Sequence, residues 1–146
     1  MTARRVDQDL AKTAAGILRR AEELTAAEQK ALRTRYRQMR VMLHTAGLAA
    51  TYAFAASKAG SSQPLDRAYS EAAGGIRKRL VSLELLKAGP AELGDRQVLS
   101  QLGDMDGVAY ARASAEAASL VGWLSRLADA CYLAGDQQAG GEAERS

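Results

Sequence analysis

The stretch Tyr110–Ala130 constrains the fold more than any other part of the chain. Its apolar residues recur at alternating steps of three and four positions, which winds one continuous apolar stripe along an α-helix. The residues of this stripe are Tyr110, Ala113, Ala117, Leu120, Leu124, Leu127 and Cys131. Arg112, Glu116, Arg126 and Asp129 interrupt the segment, so it has no transmembrane character. The pattern predicts the long central helix of an all-α domain.

The rest of the chain repeats this periodicity in shorter segments, and strand patterns are absent. Thr25 and Glu28 have the spacing of a capping box and predict the start of a second helix. The segments predicted as helices are approximately 2–24, 26–46, 48–58, 65–87 and 95–102, and Gly74-Gly75 predicts a bend in the fourth. We therefore expect an all-α fold: a single compact bundle of five to six helices over residues 1–135. Residues 136–146 are polar and glycine-rich and are expected to be disordered.

Side chains that commonly carry catalysis are scarce. His44 is the single histidine and Cys131 the single cysteine, so no histidine pair or Cys/His cluster can bind a metal ion. No glycine-rich phosphate-binding motif is present. Cys131 lies on the apolar stripe, where a small buried thiol explains it better than pairing with His44. The sequence predicts a protein that is not an enzyme and that uses no cofactor or metal.

The second helix carries a row of basic residues beside its apolar face. Lys30, Arg33, Arg37, Arg40 and His44 follow one another at steps of three and four, and no acidic residue follows Glu28 in this helix. Arginine matches phosphate oxygens with its planar fork of donors. We expect this row, which we call the basic stripe, to be half exposed and to bind a polyanion such as the phosphate backbone of a nucleic acid. A solvated helix face is the alternative.

Charge is unevenly distributed along the chain. The net charge is +3, with 11 Lys and Arg against 5 Asp and Glu in residues 1–58, and 9 against 12 in residues 59–146. This asymmetry favours a polyanionic partner for one face of the protein. Residues 1–10 lack the apolar core of a signal peptide, so a cytoplasmic location is expected.

Trp123 lies one position off the apolar stripe, and Arg126 follows it by three residues. Either Trp123 widens the core face of the helix, or it anchors a contact with another chain together with Arg126. Arg112 and Glu116 have the spacing of an ion pair within the helix. Both possibilities for Trp123 stay open at this point.

Two segments carry a resemblance to a known family. The first is AGLAATYAFAASKAG, from Ala46 to Gly60, and the second is the helix from Tyr110 to Ala130. Together they resemble the small all-helical subunit of the type III-B (Cmr) CRISPR RNA-guided effector complex, over approximately residues 36–133. The chain departs from that pattern at Ala46, where the family often has Asn, and at Gly122 and Ser125, where it often has Asn and Lys.

The resemblance implies a subunit without catalysis that takes part in antiviral defence. Such subunits stack as copies beside the backbone that carries the crRNA and help to hold target RNA, while other subunits cleave it. The implied partners are the other subunits, crRNA and target RNA, and further copies of this chain, with no membrane. The alternative function is a generic helical protein-interaction module or a transcription regulator.

Overall fold

A computed structural model describes residues 3–88 and 93–132, and this part of the chain is built from α-helices, short 3₁₀ turns and loops. The six α-helices are α1 (Ala3–Ile17), α2 (Ala26–Thr45), α3 (Leu48–Ser57), α4 (Arg67–Ser82), α5 (Asp95–Asp104) and α6 (Gly107–Cys131). The predicted all-α bundle with a long C-terminal helix is confirmed. Residues 133–146 lie outside the described residues, and so does the predicted disordered tail.

Helices α2, α3 and α6 begin where side chains or glycine geometry favour a start. The Thr25 N–H donates to Glu28 Oε1 at 2.9 Å and the Glu28 N–H donates to Thr25 Oγ1 at 3.1 Å, which completes the predicted capping box. Gly47 has φ +94°, a conformation open mainly to glycine, and it separates α2 from α3. Asp106 accepts the Ala109 N–H at 2.8 Å and caps α6.

Two helices are shorter than their patterns predict. α1 ends at Ile17 rather than near Leu24, because tertiary contacts satisfy the backbone groups beyond it: the Tyr132 hydroxyl donates to the Arg19 carbonyl, and Gln29 Nε2 donates to the Ala21 and Leu24 carbonyls. α4 ends at Ser82 rather than Lys87. The Leu85 and Leu86 N–H groups fold back onto the Leu80 carbonyl, and Glu84 adopts a left-handed φ of 60°.

α6 is the centre of the bundle and packs against α1, α2 and α4. Ala113, Ala117, Leu120 and Leu124 of its predicted stripe are buried, as expected for the core face, whereas Tyr110 and Leu127 are only partly buried. Ala128, which lies outside the predicted stripe, is buried as well. The stripe is wrong at its end: Cys131 is exposed, and the neighbouring Tyr132 is buried instead. α4 runs as one continuous helix through Gly74 and Gly75, where a bend was predicted. No helix of the described residues is long and apolar enough to cross a membrane.

Candidate nucleic-acid interface

The basic stripe of α2 is not uniformly exposed. Lys30, Arg37, Arg40 and His44 are exposed, whereas the side chain of Arg33 is only 12% exposed. The expectation that all five positions are half exposed is therefore wrong for Arg33. Val41, between Arg40 and the end of the helix, is 60% exposed and adds an apolar group to this face.

Asp129 of α6 pairs with two members of the basic stripe. Asp129 Oδ1 lies 3.1 Å from Arg33 Nε and 2.9 Å from Arg37 Nη2, so one carboxylate holds two guanidinium groups of α2. No acid follows Glu28 within α2, and Asp129 lies more than 90 residues further along the chain, where the spacing within one helix gives no sign of it. Arg37 keeps 53% of its side chain exposed and can offer its remaining N–H groups to a partner.

Arg35 and Tyr36, which lie beside the basic stripe, make contacts within the bundle. Arg35 Nη2 lies 3.2 Å from Asp66 Oδ1. The hydrogen bond from Ser61 and the Arg35 guanidinium together keep the pKa of Asp66 below its ordinary value. Tyr36 is buried, and burial raises its pKa well above the ordinary value. Tyr36 is therefore not placed to meet an RNA strand, and Arg35, with 25% of its side chain exposed, is engaged by Asp66.

The exposed basic residues divide between two sides of α2. Lys30 lines a depression shared with Arg35, Phe54 and Asp66, beside α3 and α4. Arg37, Arg40 and His44 line another, of about 540 Å³, together with Val41 and with Ala118 of α6. The row that is regular in sequence therefore drifts around the helix, and four of its five members, all except Lys30, lie on the side of α6.

Arg40 also lies beside Trp123 and Arg126, the two residues that the sequence suggests for a contact with another chain. It lines a further depression of about 350 Å³ together with Trp123 and Arg126. The Arg126 guanidinium carbon lies 5.7 Å from the centre of the Trp123 ring, a cation–π distance. Trp123 is half-buried and Arg126 exposed, so Trp123 both packs against the core and reaches the surface. We call Arg37, Arg40, His44, Trp123 and Arg126 the α2–α6 surface.

Other charged groups connect helices instead of forming a site. Glu116 pairs with Arg79 of α4 at 3.3 Å, so the predicted pairing of Glu116 with Arg112 is wrong. Arg19 pairs with Glu71 at 3.0 Å and Arg77 with Asp95 at 3.6 Å. Within residues 3–88 and 93–132, no three His, Cys, Asp or Glu side chains come together as a metal site would require.

The fold and this surface define a small all-α protein with exposed basic side chains next to a partly exposed tryptophan. Residues 7–131 match the family of the CRISPR-associated protein Cas_Cmr5. The chain belongs to this family, the small subunit of type III-B CRISPR effector complexes. No curated protein and no solved structure matches the chain.

The segment Ala46–Gly60, which carried half of the resemblance, is structural in this chain. Gly47 makes the α2–α3 turn, and Leu48 and Thr51 are buried. Phe54 packs edge-on against Tyr69 at 5.2 Å between ring centres, and Lys58 Nζ lies 5.1 Å from the centre of the Phe54 ring. These contacts hold α3 on α4, so this motif describes how the bundle is assembled.

Proposed function

We propose that this chain is a non-catalytic, cytoplasmic subunit of its effector complex and holds target RNA by its phosphates through α2 and the α2–α6 surface. In the complex, copies stack beside the subunits that carry the crRNA. The observation that carries the RNA assignment is that Lys30, Arg37, Arg40 and Arg126 are all exposed. Of these four, only Arg37 has an acidic partner among the described residues.

Electrostatics favours a phosphate backbone as the ligand of these cations. From Lys30 to His44 the stripe extends about 21 Å at about 1.5 Å per residue, long enough to follow several nucleotides. Contacts of this kind position a strand without reading its sequence, which agrees with a complex in which guide pairing supplies specificity. Arg33 takes a different role in this proposal, because its contact with Asp129 fixes α2 against α6.

The test is a salt titration of single-stranded RNA binding to the full chain. If Lys30, Arg37, Arg40 and Arg126 each neutralise one phosphate, the slope of log affinity against log salt is about −3. The double variant Arg37→Ala/Arg40→Ala is expected to reduce that slope by about 1.4. Arg96→Ala on α5, which removes an exposed charge elsewhere, is the matched control. An unaltered slope in the double variant would contradict the proposal.

Asp129 supplies a second arm of the same test, because RNA phosphate and Asp129 compete for Arg37. Asp129→Asn keeps the shape of the side chain and removes its charge. It is expected to tighten RNA binding a few-fold while lowering stability, since the ion pair between Arg33 and Asp129 lies in a largely buried place and is lost. Unchanged or weaker RNA binding by a folded Asp129→Asn variant would show that Arg37 takes no part.

The sequence-based prediction that Trp123 and Arg126 contact a neighbouring subunit remains a second proposal for these two residues. Its support is the exposure of Val41 and the partial exposure of Trp123 on one side of the bundle. Co-purification of a Trp123→Leu variant with the other subunits tests it. Undiminished recovery in the complex would remove Trp123 from any subunit contact.

A further inference from the structure

Trp123 stands at an unusual place for the one tryptophan of the chain. It is half-buried and lines the 350 Å³ depression, and Arg126 holds a positive charge 5.7 Å from its ring centre. A tryptophan that completed only the core would have its ring covered by neighbouring helices. Here the residue is only partly buried and lines the depression together with Arg40 and Arg126.

The wall next to Trp123 is made of small residues. Ala118, Ser119 and Gly122 line the depression on α6. A Cβ atom placed on Gly122 would meet no atom within 4 Å outside its own helix, so the space over this glycine is open. A flat ring can therefore approach α6 over Gly122, where it meets the Arg126 guanidinium that lies over the Trp123 ring.

The depression is lined by two positively charged side chains and one negatively charged side chain. Arg40 from α2 and Arg126 from α6 supply two exposed cations, and neither pairs with an acid among the described residues. Asp7 of α1 lines the same depression and is exposed. A phosphate is attracted by the arginines and repelled by Asp7, whereas an N–H group of a base can donate to that carboxylate.

We propose that this depression is a subsite for one unpaired RNA nucleotide, with its base against Trp123 and its flanking phosphates on Arg40 and Arg126. The inference rests on the proposed function and adds base stacking to phosphate contact. Unpaired bases stack on aromatic rings and on guanidinium planes, and the stacking tolerates any base. The volume is at the small end of ligand pockets and suits a single nucleotide.

The first experiment uses the fluorescence of Trp123, which reports on this place alone because no other tryptophan is present. The full chain is titrated with single-stranded oligouridylate and with an abasic ribose-phosphate oligomer of equal length. The proposal predicts quenching by oligouridylate and little change with the abasic oligomer, even where both bind. Equal responses to the two oligomers would overturn the nucleotide subsite.

The second experiment uses variants in the depression. Trp123→Leu is expected to weaken oligouridylate binding roughly 5- to 150-fold, the range of one lost base–aromatic stack, and Trp123→Phe to restore part of it. Gly122→Leu fills the open space without removing the ring or a charge, and is expected to weaken binding and abolish quenching. Arg126→Ala removes one of the two arginines of the depression. Its matched control is Arg112→Ala, because Arg112 is an exposed arginine about 16 Å from Trp123 along α6.

The outcomes separate this inference from the function on which it rests. If the abasic and base-bearing oligomers bind equally, and Arg40→Ala weakens both, phosphate binding stands and the base subsite is wrong. If neither oligomer binds the chain alone or in the assembled complex, both proposals fail. If Trp123→Leu keeps its RNA affinity but no longer co-purifies with the complex, Trp123 belongs to a protein interface and the subsite is overturned.

Discussion

Thr51 is one of only two polar side chains that are buried in the described part of the chain. Its backbone N–H is bonded to the Gly47 carbonyl at 3.1 Å, but its hydroxyl oxygen has no partner there. A buried hydroxyl without a hydrogen bond costs about 1–3 kcal/mol. Thr51 belongs to the segment that resembles the family pattern, and its unpaired hydroxyl lowers the free energy of unfolding.

We predict that Thr51→Val raises the free energy of unfolding by about 1 kcal/mol, because valine has nearly the same shape and removes the unpaired hydroxyl. Chemical denaturation followed by circular dichroism measures the change. Thr45→Val is the matched control, since the exposed Thr45 hydroxyl donates to the Val41 carbonyl at 2.9 Å. A loss of stability in Thr51→Val would show that the hydroxyl has a partner after all.

At the scale of the elements, the two adjacent glycines of α4 have different surroundings. A Cβ on Gly75 would lie 2.5 Å from Ile17 Cδ1 of α1 and 3.3 Å from Leu120 Cδ2 of α6. A Cβ on Gly74 would meet only Arg77 Nη2, at 3.8 Å. Gly75 thus lets three helices approach closely, whereas Gly74 faces the surface. This packing accounts for a glycine in a helix that continues without interruption.

We predict that Gly74→Ala raises the free energy of unfolding by up to about 1 kcal/mol, the difference in helix propensity. Gly75→Ala is expected to gain less or to lose stability, because Ile17 must move to make room. Urea unfolding of the two variants side by side measures the difference. Equal gains would mean that α1 does not pack against α4 as described.

At the scale of the whole molecule, tyrosines and ion pairs connect helices that are distant in the chain. The Tyr132 hydroxyl donates to the Arg19 carbonyl and the Tyr52 hydroxyl donates to Asp95 Oδ1 at 2.7 Å. Burial raises the pKa of Tyr132 to about 12, and burial together with the bond to Asp95 raises the pKa of Tyr52 to about 12. The hydroxyl groups of Tyr52 and Tyr132 are therefore protonated and neutral in the folded protein at a pH where those of the unfolded chain ionise.

We predict that stability falls as the pH rises from about 10, the ordinary pKa of tyrosine, towards 12. In this window the unfolded chain has lost its phenolic protons while the folded chain still holds them, so the folded state binds more protons and each rise in pH favours unfolding. The expected loss is on the order of 1 kcal/mol for each of the two tyrosines.

Urea midpoints at about pH 8 and about pH 11, on either side of the tyrosine pKa, check this expectation. Tyr52→Phe removes one titrating phenol and is expected to reduce the loss, although it also removes the bond to Asp95. A midpoint that does not change over this range would contradict the assignment of neutral buried tyrosines.

The order and kind of the helices followed from the sequence, because helical periodicity and caps are local. The apolar stripe of α6, the capping box of Thr25 and the turn at Gly47 each depend on neighbours a few positions away. The family resemblance rested on local patterns too. What these patterns missed were the end of α1, where Tyr132 bonds the backbone from far along the chain, and the end of α4, where the Leu85 and Leu86 N–H groups turn back onto the Leu80 carbonyl.

Only the tertiary structure decided which cations remain available. Arg33 and Arg40 are equivalent in the basic stripe, yet Arg33 is held by Asp129 while Arg40 faces a depression beside Trp123. The spacing within α2 contains no information about an acid on α6, because its approach depends on how the two helices pack. For the same reason the sequence alone could not bring Arg40, Trp123 and Arg126 to one surface.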